Sequence, residues 1–100
     1  MVINGVTFPL GDLERLCREA GVVRVFLFGS ILTDRFAPDS DVDVLVETDT
    51  GRPPGLLRLG GLQMDLSELI GRNVHLTLLG GLPAPARAQV LTQARRLDAA

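Results

Sequence analysis

Two short segments rich in β-branched and aromatic residues constrain the fold of this chain most. Residues 22–28 read VVRVFLF, and residues 42–47 read VDVLVE. Segments of this length and composition are typical of strands that lie inside a sheet. A third such segment covers 73–79 and reads NVHLTLL. We therefore predict three strands, the first two close together in the chain.

Segments before, between and after these strands show helical periodicity. Asp12 as N-cap and Gly21 as terminator bound an apolar face with spacing i, i+3, i+4, i+7, made of Leu13, Leu16, Cys17 and Ala20. A second helix is predicted over 56–70, in which Gly60-Gly61 indicates a break or a closely packed point. A last helix opens at 83–85, with an apolar stripe that runs on to Leu97.

This order of elements predicts an α/β (α+β) fold, a small mixed β-sheet packed by helices in two layers. A length of 100 residues suits one domain over 1–100. No apolar run reaches the roughly 18–20 residues that span a bilayer, and the N-terminus lacks the features of a signal peptide. We therefore expect a cytoplasmic protein with no membrane partner.

Charge and residue usage exclude several classes of function. The net charge is −2, and all ten basic residues are arginine. A general nucleic-acid binder would carry a basic face, so we expect no direct general binding of DNA or RNA. The absence of lysine excludes Schiff-base chemistry and a P-loop lysine. Cys17 is the only cysteine, which excludes an intramolecular disulfide.

The chemistry is predicted where the first two strands meet their flanking turns. The first strand runs into Gly29-Ser30, and a glycine at a strand-to-turn junction lets backbone N–H groups approach a phosphate. Asp41 and Asp43 are two apart on the second strand, so both carboxylates leave the same face. Mg²⁺ prefers one or two carboxylates together with phosphate oxygens and water. The pattern favours phosphoryl or nucleotidyl transfer over a solvated strand end, and Val44 excludes an EF-hand, which requires glycine there.

The signature of Gly-Ser, ten residues, and Asp-Val-Asp resembles that of the minimal nucleotidyltransferases (MNT), within the DNA polymerase β-like superfamily. The resemblance extends over roughly residues 10–98 and implies a two-layer nucleotidyltransferase fold. It implies that Gly29 and Ser30 hold the triphosphate of ATP. Where the family often has an Arg-Gly pair shortly after Gly-Ser, this chain has Thr33-Asp34, and Arg35 is expected to supply the positive charge from a shifted position. It also implies that Asp41 and Asp43 are catalytic and bind Mg²⁺, or Mn²⁺ in its place.

The resemblance further implies AMP transfer to a hydroxyl on a HEPN-type toxin, with this chain as the antitoxin. Because the chain holds only the core of such enzymes, a partner protein or a homo-oligomer is expected to complete the site. His75 stands where the family has a third carboxylate. It could be a half-buried structural residue, a ligand suited to Mn²⁺ or Zn²⁺, or a general base. The alternative function is therefore a degenerate MNT fold that neutralises a toxin by binding only.

Overall fold

The computed structural model describes residues 1–49, 51 and 54–97; the last three positions of the predicted domain lie outside this range. Three helices are formed by the described residues: α1 (Leu10–Glu19), α2 (Leu56–Ile70) and α3 (Ala84–Gln93). The strands are β1 (Val2–Ile3), β2 (Val6–Thr7), β3 (Val22–Phe28), β4 (Val42–Thr48), β5 (Val74–Leu78) and β6 (Arg95–Arg96). Short 3-10 turns follow β3 (Gly29–Leu32) and β5 (Leu79–Gly81).

The main sheet has four strands in the order β5-β4-β3-β6. Strand β4 runs parallel to β5, whereas β3 is antiparallel to both β4 and β6. The predicted mixed sheet packed by helices is thereby confirmed. The register places Asp43 between Phe28 of β3 and His75 of β5. This cross-strand row brings the end of β3 to the beginning of β4, where the predicted chemistry lies.

The core fills the space between the sheet and the first two helices. Helix α1 buries Leu13 and Cys17, which confirms the apolar face predicted from its periodicity. Helix α2 buries one leucine-rich face, and the sheet contributes alternate residues of β3 and β4 to the same cluster: Leu62, Leu66, Val25, Leu27, Val42, Val44 and Val46. Burial of these apolar side chains is the main stabilising term of the fold.

The structure corrects three sequence predictions about the helices. Helix α1 begins at Leu10 with Pro9 at the N-cap, so Asp12 lies inside the first turn. There its charge favours the helix dipole and its carboxylate lies 3.6 Å from Arg15. Helix α2 continues unbroken through Gly60-Gly61, and a Cβ added at either glycine would meet nothing within 4 Å. The predicted break or close packing within the chain is therefore wrong.

The third correction concerns the C-terminal helix, which ends at Gln93 and does not extend to Leu97. The chain turns back, and Arg95–Arg96 pairs with β3 as strand β6. Leu97 then enters the core with 3% of its surface exposed. Pairing with β3 provides backbone hydrogen bonds that a longer helix would leave unmade at that edge. Among the described residues, no helix combines the length and apolar character that crossing a membrane requires.

An additional hairpin at the N-terminus was not predicted. Strands β1 and β2 are antiparallel and joined by Asn4-Gly5, and both residues of this turn have positive φ, 51° and 77°. Asn-Gly is the preferred sequence for a two-residue hairpin turn of this kind. The hairpin lies against the turn that follows β3, because the Asn4 side chain donates hydrogen bonds to one carbonyl group within the turn and to one just after it.

Candidate active site

Gly29 joins β3 to the 3-10 turn in a conformation that only glycine adopts without strain. Its φ is +77°, and a Cβ built on it would collide with the carboxylate of Asp43. The missing side chain therefore allows the Asp43 carboxylate to lie directly against the backbone of the turn. Two of the residues singled out in the sequence are thus brought into contact, although fourteen positions separate them.

A cavity of about 650 Å³ opens beside this junction. It is lined by six residues of the turn, the following loop and α3: Gly29, Ser30, Leu32, Thr33, Arg35 and Gln93. The structure therefore brings together the three residues predicted to bind nucleotide, Gly29, Ser30 and Arg35. A volume of this size suits a small organic ligand. Gln93 was not predicted, because nothing in the sequence indicates that the end of α3 returns to this cavity.

Asp43 is the second residue of β4, whereas Asp41 immediately precedes the strand, so of the two aspartates predicted to lie on the strand only Asp43 does. Asp41 is exposed just before the strand, and Asp43 is half-buried within it. Burial raises the pKa of the Asp43 carboxyl above its ordinary value; the neighbouring His75 acts against this rise, and the charge of Asp41 adds to it. A half-buried carboxylate that is costly to ionise gains most from a nearby cation.

His75 occupies the position beside Asp43 on β5. Its Nδ1 lies 3.9 Å from Oδ1 of Asp43, and 65% of its side chain is exposed. The histidine is therefore a surface residue at the site, and the expectation of a half-buried structural histidine is wrong. Its ring can contact a ligand or solvent directly.

The donor set fits a divalent cation that is shared with a phosphate ligand. Within the described part of the chain, no group of three or more His, Cys, Asp or Glu side chains is placed to hold a metal ion. Two carboxylates, however, are what Mg²⁺ commonly takes from a protein when triphosphate oxygens and waters complete its six ligands. The pair Asp41 and Asp43 meets that requirement.

Comparison with known proteins identifies the family. The model of the nucleotidyltransferase domain matches residues 13–98. This chain belongs to the nucleotidyltransferase domain family. It is 31% identical over 74 residues to MJ0435 of Methanocaldococcus jannaschii, provisionally named a protein adenylyltransferase, with 74% of this chain and 77% of that protein covered.

Solved structures show the same nucleotidyltransferase fold. One, provisionally described as a minimal nucleotidyltransferase, is 36% identical with a TM-score of 0.73 and 85% of each chain covered. A chain of the structure of a tri-AMPylated Shewanella oneidensis HEPN toxin in complex with MNT antitoxin is 22% identical, with a TM-score of 0.65. That match covers 91% of this chain and 70% of the other. At this lower identity the likeness concerns the fold alone.

Two residues outside the cavity, Asn4 and Arg72, bind the backbone of the segments that form the site. The Asn4 amide donates hydrogen bonds to the carbonyl oxygens of Ile31 (2.7 Å) and Thr33 (2.8 Å), within and after the turn that lines the cavity. The Asn-Gly sequence could have indicated the hairpin turn, although not its contact with this loop.

Arg72 supports the segment that leads into Asp41. Its guanidinium donates to the carbonyl oxygens of Ala37 (3.0 Å) and Ser40 (2.6 Å) and lies 4.5 Å from the centroid of the Phe36 ring. These contacts hold the loop immediately before Asp41 against the end of α2. No short motif in the sequence indicates this role, because the partners are backbone carbonyls more than thirty positions away.

Proposed function

We propose that this nucleotidyltransferase transfers AMP from ATP to a hydroxyl group of a HEPN-type toxin and acts as the antitoxin of that pair. The observation that carries the proposal is the contact between Gly29 and Asp43, which joins the cavity to the paired carboxylates. A triphosphate in the cavity would thus lie beside the metal-binding acids. The likeness to a protein named an adenylyltransferase supports the choice of substrate. The choice of partner follows from the resemblance to the minimal nucleotidyltransferases, and this chain shares its fold with a chain of a complex between a HEPN toxin and an MNT antitoxin.

In the proposed nucleotidyl transfer, each residue of the site would have a separate role. Ser30 and the backbone N–H groups of its turn would hold the triphosphate, and Arg35 on the cavity wall would balance its charge. Asp41 and Asp43 would hold Mg²⁺, which supplies charge neutralisation for the reacting phosphate when bound. The acceptor oxygen forms a bond to the α-phosphorus while the bond to the β-phosphate oxygen breaks, and pyrophosphate leaves. The exposed imidazole of His75 is available to take the acceptor's proton.

The test is incorporation of label into a purified HEPN toxin. With ATP labelled at the α-phosphate and Mg²⁺ or Mn²⁺, the toxin is expected to become labelled, whereas ATP labelled at the γ-phosphate leaves it unlabelled. The double variant Asp41→Asn/Asp43→Asn is expected to reduce labelling to background. Asp39→Asn, in the same loop and outside the proposed metal site, serves as the matched control. A folded wild-type chain that binds the toxin without labelling it contradicts AMP transfer.

The position of His75 favours one second candidate, neutralisation of the toxin by binding only. With histidine beside Asp43, the described residues bring two carboxylates and no third to the site. If the site is degenerate, His75→Asp adds the missing carboxylate and raises labelling above that of the wild type. If His75 is the general base, the wild type labels the toxin, and His75→Asp lowers that labelling. Toxin binding measured in parallel separates both results from a loss of folding.

A further inference from the structure

Helix α2 presents an apolar stripe on the side opposite its buried face. The α2 stripe consists of Leu57, Gly60, Gly61 and Met64, which follow the spacing i, i+3, i+4, i+7 of one helix face. Leu57 is 93% exposed and Met64 is 68% exposed. Since the opposite face supplies the core, no contact within the described part of the chain covers the stripe.

The two glycines at the centre of the α2 stripe have no packing role within the chain. A Cβ on Gly60 or Gly61 would meet nothing within 4 Å, so alanine would fit at both positions. Glycine in a helix interior is less favourable than alanine by about 0.8–1 kcal/mol, so the pair weakens the helix. What paired glycines allow is close approach of another backbone to the helix surface.

The residues on either side of the glycines are arranged so that the stripe complements itself. Leu57 and Met64 are seven positions apart, about 10 Å along the helix, with the glycines midway between them. Arg58 and Asp65 have the same separation on one flank of the stripe. Both are exposed, and neither forms an ion pair with another described residue.

A twofold axis between Gly60 and Gly61 would give each of the four flanking residues a partner on the second copy. Two antiparallel α2 helices related in this way place Leu57 of each against Met64 of the other, and Arg58 of each against Asp65 of the other. In a twofold interface each contact between two different residues occurs twice. We propose that the α2 stripe is the contact surface for a second copy of this chain, in an antiparallel, twofold dimer. The proposal concerns a surface outside the candidate active site and does not depend on AMP transfer.

The first test measures the mass of the full chain over a concentration series by analytical ultracentrifugation. The wild type is expected to dimerise. Leu57→Asp is expected to raise the dimer Kd by about tenfold or more, or about 1.4 kcal/mol. Leu91→Asp is the control, because Leu91 is also an exposed leucine on a helix but lies on α3, outside the α2 stripe. Thermal unfolding of both variants separates weakened association from misfolding.

A charge exchange tests the twofold pairing itself. Arg58→Asp alone and Asp65→Arg alone each place like charges together at both ends of the interface and are expected to weaken the dimer. The double variant Arg58→Asp/Asp65→Arg restores opposite charges and is expected to recover the wild-type Kd. A chain that stays monomeric at all concentrations overturns the proposal, as does a dimer that Leu57→Asp leaves unchanged. Loss of toxin binding in Leu57→Asp with a monomeric wild type would also overturn it and assign the stripe to the toxin.

Discussion

At the scale of single residues, Gly29 and Asp43 determine one another's placement. The positive φ of Gly29 and the missing Cβ let the Asp43 carboxylate lie against the turn after β3. That placement also half-buries the carboxylate, and burial is the main cause of its raised pKa. The arrangement therefore costs stability when the carboxyl is ionised, and the cation of the proposed function would offset that cost. Perturbed pKa values of this kind are common at functional sites.

The raised pKa of Asp43 predicts how the metal-free chain responds to pH. Because the folded pKa exceeds the unfolded value of about 3.9, the folded state binds more protons between the two values, and stability falls as pH rises through them. Asp43→Asn removes the charge and is expected to raise the melting temperature at about pH 7 in EDTA. The difference from wild type should shrink as pH falls towards 4. A variant that melts at or below the wild-type temperature at neutral pH contradicts this account.

Asn4 provides a second prediction at this scale, about a residue outside the cavity. Asn4→Gly keeps the positive φ of the hairpin turn but deletes the hydrogen bonds to Ile31 and Thr33. Each bond contributes about 1 kcal/mol to stability, so the free energy of unfolding in denaturant should fall by about 1–2 kcal/mol. Because the turn that lines the cavity is then less restrained, ATP affinity measured by calorimetry should fall as well.

Asn4→Asp distinguishes the hydrogen bonds from the shape of the residue. Aspartate has the same size and tolerates positive φ, but its ionised side chain donates no hydrogen bond and faces two carbonyl oxygens. It should therefore weaken ATP binding at least as much as Asn4→Gly. Unchanged affinity in both variants would show that the hairpin does not position the turn.

At the scale of elements, the free edge of β5 is protected by side chains of α2. Strand β5 lies at one end of the sheet. The Gln63 Oε1 accepts a hydrogen bond from the N–H of Leu76 (2.9 Å), and the Ser67 Oγ accepts one from the N–H of Val74 (3.0 Å). These bonds satisfy edge N–H groups that would otherwise attract another strand. They also flank His75, so α2 holds the strand that carries it.

Gln63→Ala tests this protection. It leaves the Leu76 N–H without its partner, and an unsatisfied half-buried donor costs about 1–3 kcal/mol. The free energy of unfolding in urea should fall by an amount in that range, and amide exchange at Leu76 should accelerate. Gln89→Ala, on the exposed surface of α3, makes the same change in helix propensity and should have almost no effect. Equal losses in the two variants would exclude a role for Gln63 at the edge.

The elements that could be predicted from the sequence are those whose own residues show strand composition or helical periodicity. Strands β3 and β4 are rich in β-branched residues because both are interior to the sheet, and α2 shows its leucine face. Strand β6 was missed because Arg95–Arg96 has no strand pattern, and its pairing depends on the edge of β3. The short hairpin strands were missed since two residues cannot show alternation. In the site, the Gly-Ser and Asp-Val-Asp motifs predicted residues that do lie together, whereas Gln93 and Arg72 enter through tertiary contacts.

At the scale of the whole molecule, one face of the sheet serves the core and one end of the sheet carries the candidate site. One face is filled by α1 and α2 and supplies the apolar core. The turn after β3 and the start of β4 carry the cavity and the carboxylates at one end of the sheet. Asp43 is paired on both sides within the central strand β4, and Gly29 directly follows β3, so a ligand bound there would favour the folded sheet over the unfolded chain. This effect can be measured without any acceptor protein.

A ligand that binds only the folded chain stabilises it by RT ln(1 + [L]/Kd), about 2.7 kcal/mol at a hundredfold excess over Kd. For a chain of this size, that gain corresponds to a rise in melting temperature of about 10–20 °C. We expect MgATP to produce such a rise in the wild type, and ATP with EDTA to produce a smaller one, because two carboxylates and a triphosphate then repel each other without a shared cation. Asp41→Asn/Asp43→Asn should remove the dependence on Mg²⁺ while ATP alone still binds through Ser30 and Arg35. All samples contain, in place of ATP, an analogue that resists cleavage between the α- and β-phosphates, so that turnover contributes to no rise. The same rise with Mg²⁺ and this analogue in that double variant would show that Asp41 and Asp43 do not bind the metal.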